Sequence, residues 1–181
     1  SPLYKALAKF HPEISGTLRP LVLYNSRTAR PGEVDGIDYH FRPREEVESF
    51  REKDHFVVMD VRGDLHALDI RELLQSLDKG NVFFEGNPFV GGTLLTHPAL
   101  QERNVKRLSV FMSPLSRDEI LFLKSVKPAV SLPELITDIM RRKLLRRTRR
   151  QKGEPSLKDL ENIERRASSA YNELKEAYNY Q

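Results

Sequence analysis

Between Arg27 and Phe41 the chain reads Arg-Thr-Ala-Arg-Pro-Gly-Glu-Val-Asp-Gly-Ile-Asp-Tyr-His-Phe, so two guanidinium groups stand three residues apart on a loop of proline and glycine, followed by a tyrosine. Pro31 fixes its own φ, while Gly32 and Gly36 allow tight turns, so the segment must double back and can bring Arg27 and Arg30 to one point. Each arginine offers a planar fork of donors that matches phosphate oxygens and stays charged at any working pH. A lone Arg-x-x-Arg pair reads as a solvated turn. Followed by Tyr39, the same pair on such a loop can also hold a phosphate monoester, and the residues alone leave both readings open.

Punctuation and periodicity organise the rest. Residues 3 to 10 are expected to form a helix with Leu3, Leu7 and Phe10 on one side, 20 to 24 a buried strand, and 36 to 41 and 55 to 61 strands of a small mixed subdomain. A short helix over 45 to 52 follows Pro43, an amphipathic helix spans 69 to 79, a buried strand 81 to 85 and a further helix 93 to 101. Residues 108 to 116 read as a buried strand ending in a turn, and 117 to 124 as a short helix. Ser131, Pro133 and Glu134 start a long helix with Leu135, Ile136, Ile139, Met140 and Leu144 on its buried side. Alternating strands and helices predict an α/β fold, a parallel sheet with helices on both faces.

With 181 residues, the chain suffices for one core with a small inserted subdomain. It has no cysteine, which excludes disulfides and Cys-based zinc sites and accords with a reducing cytoplasm. No apolar run is fit to span a bilayer, so a soluble protein with no membrane partner is expected. The five histidines, His11, His40, His55, His66 and His97, show no metal-ligand spacing. A net charge of +4 is modest and gives no ground for nucleic-acid binding.

The run Ser26 to Phe41 resembles the GMP-binding segment of guanylate kinases, roughly S-x-T-T-R-x-P-R-x-G-E-x-[DN]-G-x-D-Y-x-F. That resemblance implies a three-layer α/β/α P-loop kinase core, a monophosphate-binding subdomain over 25 to 68 and a helical lid over 131 to 166, all within one domain spanning 1 to 181. It implies transfer of the γ-phosphoryl of ATP to GMP with Mg2+, and binding of the GMP phosphate by Arg27, Arg30 and Tyr39. The opening Ser1-Pro2-Leu3-Tyr4-Lys5-Ala6-Leu7 is similar to the helix after a G-x-x-x-x-G-K-S loop, which makes Ser1 the ATP- and magnesium-contacting residue. Both ends of the chain then look cut, and either the phosphate-binding loop lies upstream of Ser1 or the part that binds ATP has been lost. Ile163 to Leu174 is similar to the family's I-x-x-R-L-x-x-A-x-x-E-L helix, whose lid arginine falls on Arg166, or on Arg165 if the alignment slips by one.

Departures are as informative. Where the family carries a glutamate, a tyrosine and a Ser/Thr that contact base or phosphate, this chain has Val58, His66 and Leu68. Asp60 is a candidate substitute carboxylate, His66 a donor to phosphate, and Glu85 a substrate- or metal-site acid in place of the family's aspartate, or simply the end of a strand. The basic stretch Arg141 to Lys152 admits three readings: lid arginines, with Arg149 or Arg150 facing phosphate, a solvated helix face, or a polyanion patch. Three functions follow: a guanylate-kinase-type phosphotransferase, a non-catalytic module in which the same pocket grips a phosphorylated or acidic protein partner, or a kinase for another phosphorylated acceptor. Monomer and homodimer are equally compatible with the sequence.

Overall fold

The computed structural model describes residues 2–103, 105–113, 115–126 and 131–177. They divide into two compact units, Ser1–Lys106 and Arg107–Gln181. The 25 to 68 segment lies in the first unit and the 131 to 166 segment in the second.

The first unit begins with helices α1 (Pro2–Phe10) and α2 (Pro12–Ser15), then strands β1 (Leu18–Pro20), β2 (Tyr24–Asn25) and β3 (His40–Phe41). Helix α3 (Arg44–Ser49) continues as a 3-10 turn over Phe50–Glu52, and β4 (Phe56–Val61) and β5 (Asp64–Asp69) form a hairpin. Helix α4 (Ile70–Asp78), strand β6 (Asn81–Phe83) and helices α5 (Pro88–Thr96) and α6 (Pro98–Glu102) complete it. β1 and β6 pair in parallel, while the other four strands make a mixed sheet in the order β3-β2-β5-β4. The fold is therefore mixed α/β, and among the described residues parallel core strands are represented by the β1–β6 pair.

Strand alternation divides the core in two. Val57, Met59, Val61 and Leu68 face a cluster with Leu23, Ile70, Leu73, Val90 and Leu100, whereas Phe56, Val58, Leu65 and Ala67 face Val47 and Phe50. Helices thus cover both faces of the mixed sheet. Leu68 is 0% exposed. Its replacement by alanine is expected to cost about 3 kcal/mol, read as a lower urea midpoint with unchanged slope.

Three boundaries differ from expectation for identifiable reasons. The strand expected over 20 to 24 is split: the Leu21 N–H still donates to Phe83 O at 2.9 Å, and by Leu23, whose carbonyl accepts from His40 N, the chain has changed sheets. The helix expected over 93 to 101 is broken at Pro98, which holds His97 extended at ψ 126°. In the run from 36 to 41 only His40 and Phe41 are strand, because Gly36 at φ +78° and the turn around it occupy the rest.

The second unit is helical: α7 (Arg117–Val126), α8 (Leu132–Lys152) and α9 (Leu157–Lys175). Leu115, Ile136 and Ala170 form its core with Ile139, Met140, Tyr171 and Leu174. Gly153 at φ +80° ends α8, and a Ser156/Asp159 capping box starts α9. Hydrogen bonds from Lys152 and Ser156 hold the Asp159 carboxyl down at about 2. The stretch expected as a strand over 108 to 116 is not one among its described residues: Leu108 is 94% exposed, and Val110 and Met112 are exposed too. Among the described residues of this unit there is no strand to give it a ladder.

Candidate phosphate-binding site

The loop from Arg27 to Phe41 is two turns held by three carboxylates. In the first, Glu33 N–H donates to Arg30 O at 3.0 Å around Pro31 and Gly32, the latter at φ +86°, the residue pattern of a type II turn. Glu33 then folds back, accepting from Arg27 Nη1 at 2.6 Å and Nη2 at 2.7 Å, and from the Arg30 N–H at 2.7 Å. In the second turn, Asp38 accepts from Val34 N–H at 2.9 Å, and Asp35 accepts from Phe41 N–H at 2.7 Å and pairs with Arg42. Closing the loop this way points Tyr39 at the sheet, where it packs against the larger core cluster.

Arg27 is enclosed. Its side chain is 14% exposed and that of Glu33 20%, and its guanidinium lies over the rings of Tyr39 and Phe41, 5.2 Å from each centroid. Burial opposes the Arg27 charge, but the Glu33 bond and charge outweigh it and hold its pKa above the ordinary value. Glu33 is likewise desolvated, yet the bonds from Arg27 and the Arg30 N–H keep its carboxyl below the usual range. Burial raises the Tyr39 phenol, with Arg27 opposing, so it remains an O–H donor at neutral pH. Arg30, on the adjoining turn, is exposed, and its side chain has no hydrogen-bond or ion-pair partner among the described residues. The loop therefore brings Arg27 and Tyr39 together and sets Arg30 beside them with its fork open.

Asn25 ties this loop to the sheet: its Oδ1 accepts from Arg27 N–H at 3.0 Å and its Nδ2 lies 3.1 Å from His66 Nε2. An amide NH2 only donates, so His66 Nε2 accepts and Nδ1 carries the proton. Nδ1 is buried without a partner, and the His66 ring meets the Tyr39 ring edge-on at 5.7 Å. Burial lowers the His66 pKa from 6.5 to about 4. A histidine depressed in the folded state binds its proton more readily when unfolded, so its neutral burial is stabilising above pH 6.5 and that stability is lost as pH falls toward 4. The expected loss is of order 3 kcal/mol across that window. Chemical denaturation at pH 7 and pH 4.5 should show it, with a much shallower fall for His66→Gln.

Other residues singled out by sequence lie elsewhere. Asp60 follows Phe56 and Val58 on the opposite face of β4, accepts from Gly63 N–H at 2.7 Å and pairs with Arg44 at 3.9 Å, so the sheet separates it from His66 and Tyr39. Glu85 accepts from the Leu3 and Tyr4 N–H groups at 3.1 and 3.3 Å, capping the start of α1. Ser1 lies outside the described residues. Arg149 and Arg150 are exposed at the end of α8, and Arg166 is half-buried within α9. The pairs Arg141–Glu164 and Lys152–Asp159 join the two helices, with Arg149 toward the Lys152–Asp159 end and Arg166 toward the Arg141–Glu164 end. Asp64, which sequence reasoning passed over, stands on the site's face of β5. The signal was present, since the alternation Asp64, His66, Leu68 after the Gly63 turn puts all three on one side.

The fold is α/β, and its loop holds an enclosed arginine locked by a carboxylate, an open arginine on the next turn and a protonated tyrosine. Over part of its length the chain is similar to guanylate kinases. It is 38% identical over 82 residues to the guanylate kinase of Pseudomonas fluorescens strain Pf0-1, covering 45% of this chain and 38% of that protein. The guanylate kinase of Streptococcus pneumoniae strain R6 is 33% identical over 101 residues, 55% of this chain and 46% of the relative. That of Streptococcus pyogenes serotype M3 is 32% identical over 114 residues, 62% and 47% respectively. The chain thus spans less than half the length of these relatives. A crystal structure of guanylate kinase from Anaplasma phagocytophilum overlaps 40% of this chain and 39% of its own, at 26% identity and a TM-score of 0.35. No family model matches.

Proposed function

We propose that the loop from 27 to 41 holds the phosphate of a nucleoside monophosphate, GMP in the first instance, and that the protein transfers the γ-phosphoryl of ATP to it, giving GDP and ADP. The observation that carries this reading is the Arg27–Glu33–Tyr39 cluster with Arg30 open beside it. Glu33 neutralises one of the two guanidinium charges, so the cluster keeps a net positive charge for the incoming anion. Arg27 spends Nη1 on Glu33 and the Thr28 carbonyl and one edge of Nη2 on Glu33, and its Nε has no partner among the described residues. That leaves Arg27 a fixed, partly used donor, Arg30 a mobile fork, and the Tyr39 hydroxyl a third donor. Arg166, with Arg149 or Arg150, would neutralise charge on the transferring group.

Magnesium and ATP, which guanylate kinases use, would meet this chain at Ser1 and the start of α1. The described residues do not by themselves fit either: the Leu3 and Tyr4 N–H groups already donate to Glu85, and no cluster of three His, Asp or Glu side chains occurs among them. The chain's own contribution lies on the acceptor side, where it orients the monophosphate. Among the described residues no helix is long and apolar enough to cross a membrane; a cytoplasmic location is proposed from the likeness to guanylate kinases alone.

Calorimetric titration with GMP, followed by a coupled assay for ADP release in the presence of ATP and magnesium, tests both halves. Saturable GMP binding with GMP-dependent ADP release is expected. Binding without release would leave a phosphate-gripping interaction module, and no binding would end the proposal.

A further inference from the structure

The ladder between β2 and β5 pairs Tyr24 with Ala67 and Asn25 with His66 in antiparallel register. Ser26 continues it: its N–H donates to Leu65 O at 2.9 Å, and its hydroxyl accepts from Leu65 N–H at 2.8 Å. The next step of the same register sets Arg27 opposite Asp64. Both share the face on which the Asn25 and His66 side chains meet: the Arg27 guanidinium lies over the Tyr39 ring, which meets His66, and Asp64 is two residues from His66 along β5. Asp64 is half-buried, and among the described residues nothing donates to its carboxylate. Arg27 does not form an ion pair with it, having turned its fork to Glu33. The other carboxylates of the loop and hairpin are all engaged: Glu33 by Arg27, Asp35 by Phe41 N–H, Asp38 by Val34 N–H and Asp60 by Gly63 N–H. An acceptor with no donor therefore stands across the strands from a guanidinium of the proposed phosphate site.

We infer that Asp64 is a specificity residue of that site and accepts a hydroxyl of the sugar that carries the bound phosphate. This rests on the phosphate reading given above. Distance selects the group: directly opposed residues of an antiparallel pair lie about 5 Å apart, so Asp64 meets what is bonded next to the phosphate rather than a base several bonds further away. Charge gives the sign. A carboxylate beside a phosphate repels it, and only a hydroxyl placed between the two makes Asp64 favourable, so the residue discriminates against bare phosphate and for a hydroxylated phosphate ester. The base is not part of this discrimination: Leu68, next on the same face, is buried in the apolar core, and Val58 faces the other cluster.

The test titrates the whole protein and its Asp64→Asn variant with inorganic phosphate, ribose 5-phosphate and GMP at one ionic strength. The wild type is expected to bind ribose 5-phosphate about tenfold more tightly than inorganic phosphate, the value of one hydrogen bond to a charged acceptor. In Asp64→Asn that ratio should fall toward one, while inorganic phosphate binds as well or better because a like charge has gone. GMP should weaken in parallel with ribose 5-phosphate. A ratio that survives in Asp64→Asn overturns the inference, as does an equal loss for all three ligands, which would mark a folding role. Failure of all three to bind the wild type overturns the phosphate reading as well. GMP weakened alone would assign Asp64 to the base and overturn the sugar assignment.

Discussion

Replacing Glu33 by alanine is expected to destabilise the first unit by about 2–3 kcal/mol, the largest loss from any single change in the loop. Removing one partner of a fully buried pair costs roughly 3–5 kcal/mol, and the residual exposure of both side chains discounts that figure. Glu33 is the acceptor for both Arg27 terminal nitrogens and for the Arg30 N–H, so its loss strands a desolvated guanidinium and opens the type II turn together. Glu33→Gln, which keeps an acceptor without the charge, should lose about half as much. Urea unfolding of the two variants checks the order. The same pair carries a pH signature: the depressed Glu33 carboxyl stabilises the fold above the ordinary carboxylate range, and that contribution disappears as acid protonates it below that range.

Arg30→Ala should do the opposite. Its side chain is exposed and makes no bond among the described residues, so stability is expected to stay within about 0.5 kcal/mol of the wild type. Affinity for GMP should fall about 10- to 100-fold, since a charge-assisted, bidentate contact to phosphate is worth roughly 1.5–3 kcal/mol. Arg30→Lys should recover only part of it, because an ammonium lacks the planar fork. Calorimetry with the three proteins measures this. A loss of stability comparable to that of Glu33→Ala would mean that Arg30 holds the loop instead of the ligand.

Much of this architecture was legible in the chain because local chemistry decided it. Pro31, Gly32 and Gly36 dictated the turns, Pro43 preceded a helix, Asp69 capped α4 through Arg71 and Glu72 N–H, and Gly153 stopped α8. What escaped was non-local. The apolar run from Leu108 has strand composition, but a strand needs a partner, and nothing in the run itself says whether one is there. Glu85 reads equally as a site acid or a strand terminus, and only the fold reveals that it reaches back some eighty residues to the first turn of α1. Asp60 and Asp64 differ by a single hairpin, so choosing between them needed the register, which the type I′ pattern of Arg62 and Gly63, both at positive φ, fixes. The acidic residues of the loop illustrate the same limit: sequence marked Glu33 and Asp35 as matching positions, and the structure gives them the work of aiming Arg27 and Tyr39.

The claim on which this account turns is that Arg27 and Arg30 converge on one anion. The most direct measurement is a 15N–1H spectrum of the arginine Nε–H groups, recorded while GMP is added to the labelled protein. The Arg27 and Arg30 signals are expected to shift together and saturate at the same GMP concentration, and in Arg30→Ala the Arg27 shift should require about 10- to 100-fold more GMP. Signals at those two positions that stay fixed while GMP binds and others move would contradict it.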